Sequence, residues 1–274
     1  MPPMSRRALL AAATLFATPA GLMPAACAQA PAATFTPQSG MAGKDVVWVP
    51  TPQALVDRML DMASLRPDDY LIDLGSGDGR TVITSARRGT PSLGIEYNPD
   101  LVKLSQEAAL KEGVAEKARF VHGDIFESDF SKATVVTLFL MPHLNLRLRP
   151  ILLDMKPGTR VVSNTFTMGE WVEDNKIDAG GDCSAYCRAF LWIVPAKVQG
   201  AWRLPQGELR LTQIFQMLRG TLVLNGREAP FENGRMNGKA IAFTAGGSAY
   251  TGRVQGNAMT LTAAGQALTA TRKP

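Results

Sequence analysis

Apolar residues follow two different rhythms along this 274-residue chain. Between about residues 46 and 195, short continuous apolar runs alternate with stretches in which apolar residues recur every three or four positions. Continuous runs are typical of strands buried on both faces, and the longer period is typical of amphipathic helices. This alternation predicts a mostly parallel sheet covered by helices on both faces. The predicted strands are 69–74, 92–97, 119–122, 134–140 and 159–164, and the predicted helices are about 52–65, 79–88, 99–113 and 144–155.

Beyond residue 195 apolar and polar residues alternate one by one, and Gly or Asn-Gly turns recur at short intervals. A period of two with frequent turns is typical of consecutive antiparallel strands that bury one face. The segment predicts about seven or eight strands in a small barrel or sandwich. The chain is therefore predicted to be α/β. A Rossmann-like, doubly wound, mostly parallel sheet at 46–195 is followed by a small antiparallel all-β domain at 196–274.

The first thirty residues have the pattern of an export signal. Arg6 and Arg7 precede a mildly apolar run, and small residues end the segment at Ala30. Paired arginines before such a run are typical of twin-arginine signals, and its interruption by Thr, Pro and Gly makes a poor membrane span. The pattern predicts export to the periplasm or cell envelope. A membrane-anchored protein and a cytoplasmic protein with a misassigned start are the alternatives. Residues 31–45 are small and polar with Gly and Pro, which predicts a linker.

Charge is divided unevenly along the chain. From Lys197 onward ten Lys and Arg residues stand against three Glu residues, for a net charge of +7. Residues 31–195 carry 17 basic and 21 acidic residues. A basic C-terminal domain would suit an acidic partner or an anionic membrane surface. The alternative is that these side chains only solvate the outer face of the barrel or sandwich.

Cysteine usage gives a second indication of the compartment. Cys27 lies within the predicted signal, so a processed protein would keep Cys183 and Cys187. In an oxidising compartment these two residues could close a small disulfide loop, and two inert thiols are the alternative. Two cysteines and two distant histidines do not form a recognisable ligand set, so no metal is predicted.

Gly75, Gly77 and Gly79 occupy alternate positions directly after the first predicted strand of the sheet. Glycine lets the backbone approach a ligand closely and adopt positive φ angles at little cost. The spacing is G-x-G-x-G, whereas dinucleotide sites have G-x-G-x-x-G. Asp73 and Asp78 flank the turn, and carboxylates there would repel a phosphate but attract a cation. S-adenosyl-L-methionine, with a sulfonium and an ammonium group, fits this charge.

Acidic side chains also follow the next two predicted strands. Glu96 lies where a carboxylate can accept hydrogen bonds from both ribose hydroxyls of a nucleoside. Asp124 lies just past the following strand, where a carboxylate can receive an adenine amino group. Ligands of parallel sheets bind outside the carboxyl ends of the strands. The three strand ends together therefore predict one pocket for S-adenosyl-L-methionine.

The stretches "VPTP", "DLGSGDGR", "GIEYNPDL", "TVVTLFL" and "KPGTRVVSNTF" resemble class I, seven-strand S-adenosylmethionine-dependent methyltransferases over roughly residues 46–195. They are most similar to the protein-lysine methyltransferase branch with mitochondrial and histone-lysine members, from which the C-terminal β domain is a departure. The resemblance implies N-methylation of a lysine in a protein acceptor, which an export signal would place in the cell envelope. It also implies cofactor contacts by Thr51, Asp73, Gly75, Gly77, Gly79, Glu96 and Asp124, with Ile125 or Phe126 as apolar cover. Asp78 is a further candidate contact because its charge lies beside the turn.

The acceptor side is marked by fewer residues. The stretch "LFLMPHLN" lacks the Asn/Asp-Pro-Pro-aromatic clamp that holds the planar amino groups of bases or glutamine. A lysine amine needs no dedicated base, because desolvation and a neighbouring sulfonium both lower its pKa. Met141, His143 and Asn164 are the candidate catalytic positions, with His143 either a base or a helix cap. Phe166 and Trp171 are candidates for the pocket wall or, equally, packed residues beneath the extra domain.

Other functions stay open on the sequence. A methyltransferase could act on a small molecule or on nucleic acid, and the basic C-terminal domain keeps the latter in view. Because the cofactor is made in the cytosol, an exported protein could also bind it with little turnover. The glycine spacing disfavours a nicotinamide-dependent dehydrogenase.

Overall fold

A seven-stranded sheet with helices is joined to a closed eight-stranded barrel. The computed structural model describes residues 35–181 and 183–273, so the predicted export signal and Cys27 lie outside the described residues. None of the helices in the described part of the chain is both long and apolar enough to cross a bilayer.

The elements of the sheet region alternate as the sequence predicts. The strand order in the sheet is β5-β4-β3-β6-β7-β9-β8. The first five strands run parallel, β9 runs antiparallel to them, and β8 pairs antiparallel with β9 and so runs in the direction of the first five. The predicted Rossmann-like sheet is confirmed. In chain order the elements are β1 (Met41–Ala42), β2 (Val47–Trp48), α1 (Gln53–Met62), β3 (Leu71–Leu74), α2 (Arg80–Arg87), β4 (Ser92–Glu96), α3 (Pro99–Lys111), β5 (Ala118–His122), β6 (Val135–Leu138), α4 (Pro142–Leu153), β7 (Arg160–Asn164), β8 (Asn175–Asp178) and β9 (Arg188–Ile193).

The central strands are apolar because both of their faces are covered. Every residue of β3 and β6 is buried. Alternate side chains point to opposite faces of a strand, so Leu71 packs in one apolar layer and Ile72 in the other. Leu55 and Leu60 of α1 belong to the first layer, and Leu148 of α4 belongs to the second. This packing fixes the carboxyl ends of the strands, where the candidate ligand residues lie.

The start of α1 differs from the sequence prediction. α1 begins at Gln53 after Pro52, and no side chain caps its first turn. A threonine directly before a proline is a plausible N-cap in sequence, but Thr51 does not cap this helix. Thr51 is buried, and its Oγ1 accepts a hydrogen bond of 3.1 Å from Nδ2 of Asn164. This bond ties the segment before α1 to the carboxyl end of β7.

Part of the segment predicted as a linker is structured. Met41 pairs antiparallel with Trp48, and Ala42 pairs with Val47, which makes a small β1–β2 hairpin. The backbone N–H of Gly43 donates a 3.0 Å hydrogen bond to the Val46 carbonyl within the turn. Strands of two residues are too short for alternation to reveal them, so the sequence pattern does not predict this hairpin.

The C-terminal strands close into a barrel through pairing of the first strand with the last, where Trp202 lies opposite Arg272. Closure removes the unpaired strand edges that an open sheet would expose. Trp202, Met236 and Leu261 are fully buried inside the barrel. The prediction of a small antiparallel β unit is confirmed. Its strands are β10 (Gly200–Leu204), β11 (Gly207–Ile214), β12 (Met217–Leu224), β13 (Arg227–Asn237), β14 (Ala240–Ala245), β15 (Ser248–Gln255), β16 (Ala258–Ala263) and β17 (Gln266–Arg272).

The barrel contacts the sheet region through the β11–β12 turn. Phe215 stacks on Trp171, with ring centroids 6.2 Å apart. The side-chain amide of Gln216 donates a 2.7 Å hydrogen bond to the Val172 carbonyl. Trp171 is fully buried in this contact, so it cannot form the wall of an open acceptor pocket. Of the two interpretations of Trp171, packing beneath the extra domain is the one that the structure supports.

Candidate active site

The glycine turn between β3 and α2 leaves backbone open toward one side. Gly75, Gly77 and Gly79 have φ angles of +77°, +55° and +80°, a region that favours glycine. A Cβ atom at Gly77 would lie 2.5 Å from Nε1 of Trp48 in the β1–β2 hairpin. A Cβ at Gly79 would instead lie 2.7 Å from the Phe120 ring. Gly77 therefore borders the hairpin, whereas Gly79 allows close packing inside the domain.

A cleft opens at the carboxyl ends of β3, β4 and β6 and is covered by the β1–β2 hairpin. Seven of the residues named in the sequence analysis as candidates for the cofactor or acceptor site are not on its lining, namely Gly79, Phe126, Met141, His143, Asn164, Phe166 and Trp171. The predicted residues that do line the cleft are Thr51, Asp73, Gly75, Gly77, Asp78, Glu96, Asp124 and Ile125.

Glu96 links the end of β4 to the glycine turn. Its two carboxylate oxygens accept 2.9 Å hydrogen bonds from the backbone N–H groups of Gly77 and Asn98. A carboxylate oxygen can accept more than one hydrogen bond. Glu96 can therefore hold the turn in place and still accept bonds from the hydroxyls of a ligand in the cleft.

Asp73 is the most deeply buried acid on the cleft lining. Its Oδ1 accepts a 2.6 Å hydrogen bond from Oγ1 of Thr137 on the neighbouring strand β6. Burial, which disfavours the charged form, raises the pKa of Asp73 to about 7, and the nearby carboxylates Glu96 and Asp78 add to the shift. A cation in the cleft would favour the ionised form of Asp73.

We expect the affinity for a ligand that carries an ammonium group to rise about tenfold between about pH 6 and pH 8, because ionised Asp73 attracts it. The stability of the ligand-free protein should change in the opposite sense. The folded form holds a proton on Asp73 that the unfolded form loses near its ordinary pKa, so the free energy of unfolding should fall as pH rises from about 4 to about 7. Calorimetric titration with S-adenosylhomocysteine from about pH 6 to about pH 8 measures the change in affinity. An equally steep profile in Asp73→Asn would contradict the assignment to Asp73.

Two of the acids on the lining are already paired within the protein. Oδ2 of Asp78 lies 2.5 Å from Nη2 of Arg80, whose other terminal nitrogen donates to the Thr51 carbonyl at 2.8 Å. Asp124 pairs with Lys44 of the β1–β2 hairpin turn, and this hydrogen bond lowers the pKa of Asp124. Because these partners offset their charge, Asp73 and Glu96 supply most of the attraction for a cation.

Several lining residues are not predicted from the sequence, and three of them are Lys44, Trp48 and Phe139. Lys44 and Trp48 come from the β1–β2 hairpin, and Phe139 follows β6 directly. Nζ of Lys44 lies 4.9 Å from the ring centroid of Tyr97, which also lines the cleft. The tryptophan in "VVWVP" is the one sequence feature that indicates the hairpin, because a large aromatic side chain usually packs against other parts of the protein.

None of the three candidate catalytic residues lines the cleft. Met141 precedes α4 and is 42% exposed, and His143 is exposed on the first turn of that helix. Asn164 is fully buried, and its side chain bonds Thr51 and Thr165. The predicted acceptor-pocket position of Asn164 is therefore corrected to a structural one. Met141 and His143 are exposed at the start of α4, and their role at an acceptor site stays a prediction.

Cys183 and Cys187 form a disulfide, which decides between the two alternatives for this pair. Within residues 35–181 and 183–273, no group of three or more His, Cys, Asp or Glu side chains could hold a metal ion.

The lining residues fit S-adenosyl-L-methionine. The backbone at Gly75 and Gly77 is free of Cβ atoms, so a ligand can approach it closely. Asp73 lies beside this turn and suits an ammonium group, and Glu96 suits ribose hydroxyls. Asp124 and Ile125, which follow β5, also line the cleft and offer a carboxylate and an apolar cover for an adenine.

Comparison with known proteins also indicates a methyltransferase. Residues 73–175 match the family described as the ANTKMT methyltransferase domain. A protein-lysine N-methyltransferase of Saccharolobus islandicus is 43% identical over 129 residues, covering 46% of this chain and 80% of that protein. An adenine nucleotide translocase lysine N-methyltransferase of Mus musculus is 31% identical over 129 residues, covering 46% of this chain and 56% of that protein.

One solved structure is similar in both sequence and fold. It is described as an RNA methyltransferase from Salinibacter ruber in complex with S-adenosyl-L-homocysteine. It is 49% identical and has a TM-score of 0.52, covering 55% of this chain and 96% of that one. The cofactor of this chain is S-adenosyl-L-methionine. The chain belongs to the S-adenosylmethionine-dependent methyltransferase family that includes the protein-lysine N-methyltransferase of Saccharolobus islandicus.

Proposed function

We propose that this enzyme transfers a methyl group from S-adenosyl-L-methionine to the side-chain amine of a lysine in a protein acceptor. The main support for this proposal is that one cleft is lined by residues from the ends of neighbouring strands, namely Asp73, Gly77, Glu96 and Asp124. The lysine-methylating relatives from Saccharolobus and mouse support the choice of acceptor.

The protein's part in this chemistry is to position and desolvate the reactants. The cofactor, when bound, supplies an electrophilic methyl group on a sulfonium. Transfer needs the amine in line with the breaking carbon–sulfur bond and about 3 Å away. Asp73 and Glu96 would hold the methionine and ribose portions of the donor, and Leu140 and Phe139 give the adjoining wall apolar character.

The amine must lose its proton before it attacks. Apolar surroundings and a neighbouring positive charge both lower the pKa of an ammonium group. Neither described histidine, His122 or His143, lies on the cleft lining. We infer that the ammonium group loses its proton to water before it enters the cleft, and we assign no side chain of the protein as a base.

RNA is the competing acceptor, because the Salinibacter protein is described as an RNA methyltransferase. The sequence beyond β6, "LFLMPHLN", has no clamp for a planar amino group. A basic barrel would suit RNA as well as an acidic protein partner. A methyl-transfer experiment distinguishes the two acceptors by whether the labelled product is protein or RNA.

We further propose that the enzyme acts outside the cytosol, on a protein of the cell envelope. The twin-arginine pattern at the N-terminus supports export, and this route carries folded proteins. The Cys183–Cys187 disulfide supports it as well, because disulfides persist in oxidising compartments. Under this proposal, the basic barrel faces an acidic partner or an anionic membrane surface.

Incubation of the purified enzyme with tritiated S-adenosyl-L-methionine and cell extracts should label a protein, with the label on lysine after hydrolysis. Envelope and cytosolic extracts are tested separately, and the enzyme is located in the same fractions. We expect protein label in the envelope extract and the enzyme in the exported fraction. Label on RNA that ribonuclease removes would overturn the lysine proposal. Enzyme found only in the cytosol would overturn the export proposal while leaving the acceptor class intact.

A further inference from the structure

Three aromatic rings meet beyond the carboxyl ends of β6 and β7. Phe139 follows β6 and lines the cofactor cleft. The Phe166 ring lies 6.1 Å from it and the Tyr186 ring lies 5.2 Å from it, centroid to centroid. Phe139 and Phe166 are half-buried, and Tyr186 is 43% exposed. The cluster therefore leads from the cleft to the surface.

The topology brings these three residues together. β7 and β9 pair antiparallel, with Asn164 opposite Ala189, so the chain leaving β7 runs beside the chain entering β9. The Thr165 N–H donates a 2.7 Å hydrogen bond to the Arg188 carbonyl and extends this pairing. Tyr186, which precedes β9, is thereby placed at the same sheet edge as the cofactor cleft.

The position of Tyr186 is constrained by a covalent bond. It lies within the five-residue loop that the Cys183–Cys187 disulfide closes. Its φ angle is +56°, a conformation that non-glycine residues seldom adopt. A disulfide limits the conformations open to the loop between its cysteines. The loop thus holds an exposed aromatic ring against Phe139, a lining residue of the cleft.

We propose that Phe139, Phe166 and Tyr186 form the acceptor mouth, through which a lysine side chain reaches the methyl group, and that the disulfide positions Tyr186 in it. The inference rests on the proposed function and adds the residues that select the acceptor. Aromatic rings suit a lysine because they pack on its aliphatic stem and attract its ammonium group. Because Phe139 also lines the cofactor cleft, a side chain that passes these rings can reach the methyl group, so the mouth belongs to the acceptor.

The ring geometry favours an alkyl chain over a nucleobase. The Phe139 and Tyr186 planes meet at 61°, an edge-to-face arrangement. The Phe139 and Phe166 rings stack at 23° with centroids 6.1 Å apart, which is too close for a base to enter between them. A planar base is held best on the flat face of an aromatic ring or between parallel faces. A flexible methylene chain has no such requirement and can pass between rings at an angle.

A bisubstrate probe tests the acceptor mouth without knowledge of the acceptor protein. The probe is S-adenosylhomocysteine with its sulfur replaced by nitrogen that carries a butylaminoethyl arm, which mimics a lysine stem. A matched analogue carries only a methyl group on that nitrogen, and a third carries an adenine-ended arm. Calorimetry gives the affinity of each, and the ratio of arm analogue to methyl analogue measures what the arm contributes.

In the wild-type enzyme we expect the butylaminoethyl arm to raise affinity at least tenfold over the methyl analogue. Tyr186→Ala should reduce this gain about fivefold to tenfold and leave the affinity for the methyl analogue unchanged, whereas Tyr186→Phe should keep the gain. The double variant Cys183→Ser/Cys187→Ser should lose it as Tyr186→Ala does. Leu110→Ala, an exposed apolar truncation on α3, is the surface control and should match wild type.

The possible results distinguish failure of the acceptor mouth from failure of the proposed methyltransferase function. An undiminished gain in Tyr186→Ala, or no gain in wild type, would overturn the acceptor mouth while the methyl analogue still binds. A larger gain from the adenine-ended arm would overturn it in favour of a nucleic-acid acceptor. Failure of the methyl analogue to bind wild type would remove the cofactor site, and both proposals would fall together.

Discussion

Gly77→Arg is expected to weaken binding of S-adenosylhomocysteine by about 100-fold or more. The added Cβ would lie 2.5 Å from Nε1 of Trp48, so the hairpin over the cleft must shift. The longer side chain would extend into the cleft, where its guanidinium can pair with Asp73 or Glu96 and compete with the ammonium group of the ligand. Calorimetric titration measures the loss, and thermal unfolding confirms that the variant folds.

Gly113→Arg is the matched control for this substitution. Gly113 has a φ of +68°, close to the +55° of Gly77, but no atom lies within 4 Å of its added Cβ. Both variants therefore carry a similar backbone cost and the same added charge, and only Gly77→Arg fills the cleft. Equal affinity of the two variants for S-adenosylhomocysteine would mean that the glycine turn does not border the ligand.

The main features of the cofactor side could be predicted from sequence because each is local. Each feature is encoded by a few consecutive residues: a buried strand, a glycine turn or an acid at a strand end. The parallel sheet then brings the strand ends together. Asp73, Glu96 and Asp124 consequently line one cleft, as predicted. Gly79 belongs to the same motif but faces Phe120, since a motif does not say which side of a turn faces the ligand.

The acceptor side could not be predicted in the same way because it is assembled from distant segments. Asn164 ends a strand, as a site residue would, but its partner Thr51 lies 113 residues away and holds its side chain in the interior. Tyr186 reaches the cleft edge only through the antiparallel strands β8 and β9. β8 has the polar sequence "NKID", which gives no apolar signal for a strand.

Pairing between charged side chains also escapes a sequence-based prediction. Asp78 and Asp124 are acids in the right places, but Arg80 and Lys44 pair with them. The Lys44 partner comes from the β1–β2 hairpin, 80 residues away in sequence. Attraction for a cationic ligand therefore depends on fewer carboxylates than the sequence suggests. Glu96 becomes correspondingly more important.

Glu96 is expected to act on the ligand both directly and through the turn. Its carboxylate accepts the N–H of Gly77 and the N–H of Asn98, each at 2.9 Å. Removing it would loosen the turn and delete the acceptor proposed for the ribose hydroxyls. Hydrogen bonds to charged groups contribute about 1.5–3 kcal/mol each, so the loss of two should have a large effect.

We therefore expect Glu96→Ala to bind S-adenosylhomocysteine roughly 100-fold more weakly than wild type, and Glu96→Gln to lie between the two. Calorimetry with the 2′-deoxy analogue isolates the ribose contact: losing the hydroxyl should weaken binding to wild type but change binding to Glu96→Ala little. Glu107→Ala, an exposed acid on α3, serves as the control for charge loss. If the deoxy analogue loses as much affinity in Glu96→Ala as in wild type, Glu96 does not hold the ribose, and its role is limited to bracing the glycine turn.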